Sequence, residues 1–598
     1  MSRNDMSRIS QQPATDIRRS KFGRPADYAT TMNAGLLVPF YVDEGVLPSD
    51  TYDMPTSALC RSLSPLKHPV IDNAYLDIYY FAVPWRLVWE HSEEFHGATD
   101  KAWNADAANS TGSVDIEEYF IPQTTVPVGG YKIGSVADYF SIPVYTGSSD
   151  KLNVLPYRAY QKVWNDFFRD GNLMDEVKIN IGDDGDDDAE SMAGAPYPVC
   201  KFHDLFTSGL PYPQRGDPVM LGIFDTDTVP VVTIGGQNQY YKDLASGGQR
   251  LRFRHTGRDF ELSGNTPFHD IGITVYSNAQ NSEKSLYAKR ASDAEIVDPT
   301  DLSGIFPVNL VADIHNASAF SINDLRLAMQ MQAILEADAR GGTRYTSLIR
   351  QHFGVISPDG RLQRAEYLGG KRIALNTQQV VQQSGVFADD GDALGQVGAM
   401  SKTVERLRGC VKSFTEHTIL IGVMCIRVDQ SYQQGLAKMW KKRSRFDYYL
   451  PELAHIGEMP VKNYEIYWQG PGVVDTSTGE IVDDQTFAFQ EPWYEYRFRF
   501  NQKTGYLRTN ASQLMVPDGE DVDGNPLAGS LDSWHYGAWY NRLPMLNKDW
   551  IVEDPRVIDR TLSVSSDIVH QFLIELYVDE VDTRPMPLYS IPGFGGHF

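Results

Sequence analysis

A chain of 598 residues, of which 42% are apolar and 12% aromatic, can bury a sizeable core, and its 22% of charged residues exclude a disordered chain. No apolar run reaches the roughly 18 residues that a membrane-spanning helix needs, and the first residues lack the apolar segment of a signal peptide. The net charge of −24 argues against a general nucleic-acid binder, and four scattered cysteines suit a reducing cytoplasm better than a disulfide framework.

The N-terminal residues 1–30 are polar, lack periodicity and predict a flexible basic arm. Six cations accompany only three aspartates in this arm, which is therefore positive although the whole chain is acidic. Arg18, Arg19 and Lys21 are its candidate contacts with a polyanion. The alternative is a terminus that is merely solvated.

Residues 30–97 mix short apolar runs with Pro, Asp and Gly turns, a pattern that predicts strands. Leu76, Ile78 and Tyr80 alternate with more polar neighbours, as in a half-buried strand. One amphipathic helix interrupts the strands, because LPYRAYQKVWNDFFRDGNL (155–173) places its aromatic residues at helical spacing and then reaches a glycine.

An acidic loop follows this helix. Its five aspartates are Asp183, Asp184, Asp186, Asp187 and Asp188. Clustered carboxylates can bind Ca²⁺, but the spacing lacks the closing Glu of a calcium loop. A solvated loop is therefore favoured, and the five aspartates are weak metal candidates only.

Residues 321–354 predict two helices. Ser321 opens a capping box, and apolar residues then recur at helical spacing through DLRLAMQMQAIL. Gly341 and Gly342 end the first helix, since glycine accepts a left-handed conformation, and Gly354 ends a second, shorter one. Periodicity alone predicts a helical hairpin that packs on a sheet.

Three later segments predict strands. EHTILIGVMCIRVD (416–429) is a continuous apolar run, and residues 494–500 alternate strictly between aromatic and charged side chains. FLIELYVDEV (572–581) alternates in the same way. The strand count therefore indicates an all-β protein with helical insertions.

A cationic segment, residues 438–446, contains five cations and no acid. The candidate contacts with nucleic acid are Lys438, Trp440, Lys441, Lys442, Arg443 and Arg445. Cations neutralise phosphates while aromatic rings stack on unpaired bases without reading sequence. In the alternative, the aromatic rings belong to the core and the cations pair with acids of neighbouring subunits.

Enzyme signatures are missing from the sequence. It contains no G-x-S-x-G elbow, no Walker loop and no H-E-x-x-H motif. We therefore expect no catalytic residues, no cofactor and no structural metal. The competing functions are a carbohydrate-binding β-protein (tail-like or secreted), because exposed Trp and Tyr beside acids also suit sugars, and a hydrolase.

Several long blocks resemble the major capsid proteins of the small single-stranded-DNA phages of the microvirus group, in particular the gokushovirus branch. The blocks are NAGLLVPFYVDEGVLPSDT, YLDIYYFAVPWRLVW, DLRLAMQMQAILEADARGGTRYTSLIRQHFGV, the segment 439–470 and the tail RPMPLYSIPGFGGHF. The resemblance covers most of residues 25–220 and 315–470. The composition shifts toward Gly, Ser, Asn and Asp between them.

The resemblance implies an eight-stranded viral jelly roll with long helical and loop insertions, its core in residues 31–222 and 312–598. Residues 223–311 would be a variable insertion that forms a surface protrusion; a divergent part of the core sheet is the alternative. Copies of the chain would assemble in the bacterial host cytoplasm into an icosahedral shell around circular single-stranded DNA. Further expected partners are a small basic DNA-binding protein, a scaffolding protein and a host surface receptor, without membrane insertion.

Overall fold

The computed structural model describes the following residues, besides isolated positions and the backbones of short strands between 231 and 312: 19–66, 72–98, 119–144, 150–186, 188–217, 322–342, 344–381, 397–432, 435–468, 470–475, 478–502, 546–559 and 561–589. The chain forms two compact units. One comprises Met1–Arg215 with Leu335–Phe598, and the other is Gly216–Ile334.

Eight strands build the core of the first unit. They are β1 (Ala26–Met32), β2 (Val38–Val46), β3 (Thr56–Ser62), β4 (Ala74–Pro84), β5 (Glu366–Ala374), β6 (Val397–Leu407), β7 (Thr418–Val428) and β8 (Phe572–Val578). One antiparallel sheet has the order β1-β8-β3-β6, extended beyond β6 by Thr377–Val381, and the other has the order β2-β7-β4-β5. This interleaving of two Greek keys is an eight-stranded jelly roll, which confirms the predicted fold class.

The two long insertions lie between β4 and β5 and between β7 and β8. Short strand pairs lie within them and at the ends of the sheets. In the first unit, Gln123–Thr125 pairs with Lys151–Asn153, and Met459–Lys462 pairs with Thr486–Gln490. The same unit also contains a small four-stranded sheet, in the order Ser20–Gly23, Val581–Arg584, Thr51–Asp53 and Val411–Ser413. In the second unit, Val231–Thr233 pairs with Leu310–Ala312, Arg252–His255 with Arg258–Glu261 and Phe306–Pro307, and Gly272–Ser277 with Lys284–Lys289.

Strand β7 is buried on both faces, as its continuous apolar sequence predicts. Leu420, Met424 and Ile426 point into the core between the two sheets. Ile421 and Val423 point to the opposite face, where they pack in a second core. The predicted strand 416–429 is confirmed, and it is the central element of the fold.

Helix α1 (Leu155–Val163) covers that second face. Leu155, Tyr160 and Val163 are buried against the sheet, and a π turn, Trp164–Phe168, follows the helix. The helix predicted over 155–173 is therefore present but ends earlier. Apolar side chains on one face of α1 complete a core that the jelly roll alone would leave open.

The helical hairpin consists of α2 (Ile322–Gly341) and α3 (Tyr345–Phe353). Gly342 has a φ of +89° and separates the helices, and Gly354, at φ +66°, ends α3, as predicted. The predicted cap residue Ser321 lies outside the described residues, and the residue before α3 is Arg344, whose side chain makes no capping bond. None of the helices in the described ranges combines the length and apolar character that a membrane crossing needs.

The remaining helices are single turns. They are Ser92–Phe95, Val136–Tyr139, Asp188–Met192, Asn463–Ile466, Lys548–Ile551 and Arg556–Asp559. Their brevity is typical of loops between strands, so the three longer helices are the main helical insertions of the described chain.

Two expectations about local structure are wrong. The end of the flexible arm expected over 1–30 is instead in strands, because Ser20–Gly23 pairs with Val581–Arg584 and β1 pairs with β8; residues 1–18 lie outside the described residues. The strand expected over 494–500 is instead a 3-10 turn, Tyr494–Tyr496, preceded by Trp493 at φ +61°. A left-handed residue reverses the chain there, so the alternating pattern does not produce a ladder.

Candidate nucleic-acid interface

The cationic segment 438–446 forms two 3-10 turns, Lys438–Lys441 and Arg445–Asp447. A capping box fixes the second turn, with Ser444 accepting from the backbone of Phe446. The Asp447 carboxylate accepts the backbone N–H groups of Arg443 (2.7 Å) and Ser444 (2.6 Å), which lowers the pKa of Asp447. These bonds fix the backbone between the two turns.

The lysines of the segment form ion pairs within the same chain. Lys442 Nζ lies 3.0 Å from Glu495 Oε1, and Lys438 Nζ lies 3.8 Å from Glu495 Oε2. Lys441 Nζ lies 3.1 Å from Asp484 Oδ1. Since the Glu495 carboxylate raises the pKa of the mostly buried Lys442 against the effect of burial, this pair belongs to the local packing.

Tyrosine rings complete the lysine pairs. Lys438 lies 4.7 Å from the centre of the Tyr494 ring, and Lys442 lies 4.6 Å from that of Tyr496. Cation–π contacts of this kind hold the charge close to its ring. The lysines, predicted to meet nucleic acid, are therefore largely committed to groups of their own chain.

The two arginines differ from the lysines. Arg443 and Arg445 are exposed, and neither has an ion pair within the part of the chain that the structure describes. Arg445 lies 4.6 Å from the centre of the Phe446 ring. Trp440 is 71% exposed and Phe446 58% exposed, so the interpretation of these two rings as core residues is wrong. The segment therefore exposes two arginines and two aromatic rings, and one of these arginines, Arg445, lies against one of the rings, Phe446.

The basic arm contributes less than its sequence suggests within the described range. Arg18 lies outside the described residues, whereas Arg19 and Lys21 are exposed. Arg24 is not available, because its Nε lies 2.7 Å from Asp582 Oδ2 and its guanidinium also pairs with Glu580. Arg19 and Lys21 remain candidate contacts.

A buried arginine holds the acidic loop. Arg158 on α1 is fully buried and donates to Asp188 Oδ2 (3.0 Å) and to the carbonyls of Gly182 (2.8 Å) and Asp184 (2.6 Å). Asp183 accepts from the indole N–H of Trp89 at 2.7 Å. The guanidinium thus supplies the positive charge that the loop needs.

The other metal candidates do not change this result. The backbone N–H of Asp186 donates to Asp184 Oδ1 at 2.9 Å, and Asp187 lies outside the described residues. Across the described ranges, no group of three or more His, Cys, Asp or Glu side chains is arranged to hold a metal ion. The acidic loop is therefore anchored to α1 through Arg158.

Sequence reasoning missed a buried acidic network at the end of the jelly roll. Arg584 and Arg24 lie over the Tyr52 ring, and Tyr52 donates to Asp43 Oδ2 at 2.9 Å. Burial, with Asp582 adding to it, raises the pKa of the nearby Glu580 to about 7. These residues are far apart in the sequence, so no local spacing could have revealed them.

The family model of the capsid protein (F protein) of phages matches residues 10–594 of the chain. The chain belongs to this capsid protein family. It is 35% identical to capsid protein VP1 of Chlamydia phage 1, across 98% of this chain and 97% of the relative. It is also 35% identical to capsid protein VP1 of Bdellovibrio phage phiMH2K (100% and 99%) and to that of Spiroplasma virus 4 (96% and 95%).

The function of the jelly roll follows from the family to which the chain belongs. The chain is a major capsid protein, a structural component of the virion that assembles with copies of itself. The family does not favour the alternatives of a carbohydrate-binding protein or a hydrolase. Family membership does not by itself assign a role to the cationic segment.

Proposed function

We propose that this major capsid protein presents the exposed part of the cationic segment to packaged single-stranded DNA. The observation that supports the proposal is that Arg443 and Arg445, which have no ion pair among the described residues, are exposed in the same short segment as the exposed rings of Trp440 and Phe446. Guanidinium groups bind phosphates, and exposed rings stack on unpaired bases of any sequence. Single-stranded DNA offers both groups at once.

The charge of the chain supports the same assignment. A net charge of −24 repels phosphate, so a shell that encloses DNA must display most of its acids away from the genome. Acid-free cationic runs are few, and 438–446 is one of them. Because phosphate contacts release counterions, binding should weaken steeply as salt concentration rises.

The test replaces both arginines, Arg443→Gln with Arg445→Gln, and counts filled and empty particles. We expect several-fold fewer filled particles with normal shell formation, since the two side chains carry no ion pair among the described residues. The matched control is Lys441→Gln with Lys442→Gln, which removes the same charge but breaks pairs with Asp484 and Glu495. Equal packaging by the arginine variant and the unmodified chain would refute the proposal.

Two further proposals concern partners. The exposed Arg19 and Lys21 of the basic arm would meet the genome together with a small basic DNA-binding protein, and a scaffolding protein would assist assembly. Residues 223–311 would form a surface protrusion that meets the host receptor. Their composition supports this, and they fall within the separate compact unit Gly216–Ile334.

A further inference from the structure

Helix α3 buries none of its nine residues. An isolated helix of this length is marginal in water, because too few hydrogen bonds follow the costly first turn. Helices of proteins usually gain their stability by packing an apolar face. Within the described part of the chain, α3 has no fully buried residue, and only Thr346–Ile349 are half-buried. The rest of α3 is therefore open to a partner outside the subunit.

Both ends of α3 are nevertheless bound to other parts of the subunit. Arg344, which precedes α3, donates to the backbone carbonyls of Asn165 and Arg169 at 2.9 and 2.8 Å. On α3 itself, His352 Nε2 lies 2.6 Å from Asp338 Oδ1 of α2. These contacts hold the ends of α3 against the body of the subunit and leave its outer face open.

Four large apolar side chains in α3 and just after it are exposed, alongside the polar Arg350, Gln351 and His352. Tyr345 is 69% exposed, Phe353 and Ile356 are each 78% exposed, and Val355 is more than half exposed. These four residues are called the α3 surface. Single exposed apolar residues need no explanation, but four within twelve positions mark an interaction site.

Charge indicates which partner covers this surface. No Asp or Glu occurs from Ala339 to Pro358, although the chain as a whole has a net charge of −24. Two copies of such an acidic chain repel each other wherever acids face acids. A stretch that lacks acids and carries the exposed Arg350 can approach the acidic surface of another copy without this penalty.

We infer that the α3 surface is a contact with a second copy of this chain in the shell. Protein is favoured over DNA because Val355 and Ile356 are aliphatic and have no ring to stack on a base. The inference does not depend on the DNA-facing role of the cationic segment. It also explains why the hairpin keeps its apolar residues exposed in the single subunit.

The first test measures hydrogen exchange of the α3 amides. In the free subunit, residues 345–353 should exchange quickly, while the amides of β7 stay protected. In assembled particles the same α3 amides should exchange at least tenfold more slowly. Slow exchange of α3 in the free subunit would overturn the inference, because the helix would then need no partner.

The second test compares self-association of two variants by sedimentation velocity. Phe353→Ser with Ile356→Ser should reduce assembly at least tenfold and leave the unfolding midpoint of the free subunit unchanged. The control, Val128→Ser with Ile568→Ser, removes two equally exposed apolar side chains elsewhere and should assemble normally. Normal assembly of the α3 variant overturns the inference, and normal shells with less DNA would assign this surface to the genome instead.

Discussion

Strand β7 and helix α3 both contain large apolar side chains, which are buried in β7 and are not fully buried in α3. Every residue of β7 except Arg427 is buried, on one side between the sheets and on the other under α1. No residue of α3 is buried. The apolar sequence of β7 stabilises the subunit, whereas that of α3 is left for another molecule.

This difference separates folding from assembly within one chain. The two sheets, α1 and the acidic loop, here called the inner region, satisfy their own apolar and charged groups. Among the described residues, the hairpin is held by Arg344, by the contact between His352 and Asp338 and by the ion pair of Arg340 with Glu458, while α3 buries none of its own residues. Changes in the inner region should therefore alter the stability of the free subunit, and changes on the hairpin should alter assembly.

The largest effect on stability is expected at Arg158. Arg158→Met would remove the guanidinium that donates to the buried Asp188 carboxylate and to the carbonyls of Gly182 and Asp184. Breaking a buried ion pair from one side costs about 3–5 kcal/mol of unfolding free energy. Urea unfolding of the purified subunit measures the loss.

An exposed ion pair provides the control for Arg158. Arg61 and Glu575 are 2.8 Å apart, and both side chains are about half exposed. Arg61→Met should cost about 0–1 kcal/mol, because solvent screens such pairs. If both variants lost the same unfolding free energy, the acidic loop would be solvated, as its sequence suggests. It would then not belong to the inner region.

A smaller effect distinguishes β7 from α3 directly. Leu420→Ala in β7 removes a fully buried side chain and should cost about 2–5 kcal/mol. Ile356→Ala, beside α3, removes a side chain of the same size that is largely exposed, and should stay within about 0.5 kcal/mol. A loss above 2 kcal/mol for Ile356→Ala in the free subunit would show that the chain covers this residue itself.

The inner region was largely predictable because its patterns are local. A continuous apolar run is compatible with burial on both faces, and β7 realises this. The break at Gly341 and Gly342 was also predictable, since a left-handed residue there suits glycine. The pairing order of the strands came only from the family resemblance, because periodicity does not say which strands are neighbours.

The candidate interface was less predictable, because its charges are decided by distant residues. Nothing in the run 438–446 distinguishes Lys442 from Arg443, yet Glu495, about fifty positions later, neutralises only the lysine. The alternation over 494–500 failed for a similar reason, since Tyr494 donates to the buried Glu465 at 2.6 Å and is drawn into the core. Acids that are distant in the sequence, and not the local pattern, determine which cations of the segment form ion pairs.

The smallest expected effect concerns pH and the acidic network at the end of the jelly roll. Burial, reinforced by Asp582, raises the pKa of Glu580 from 4.5 to about 7, while Arg24 and Tyr41 oppose the shift. The native state thus holds this proton more tightly than the unfolded chain. The contribution of Glu580 to stability is therefore complete below pH 4.5 and is lost as the pH rises to about 7.

Glu580→Gln removes this titration and keeps the shape of the side chain. The difference in unfolding free energy between the unmodified chain and this variant should favour the unmodified chain most at about pH 4.5 and decline toward about pH 8. Other titrating groups are common to both proteins and cancel in the difference. A difference that is constant across this range would mean that Glu580 stays ionised beside Arg24, and that the two arginines fully compensate the buried acids. The charges of this network would then be compensated within the subunit, like those of Arg158 and Asp188.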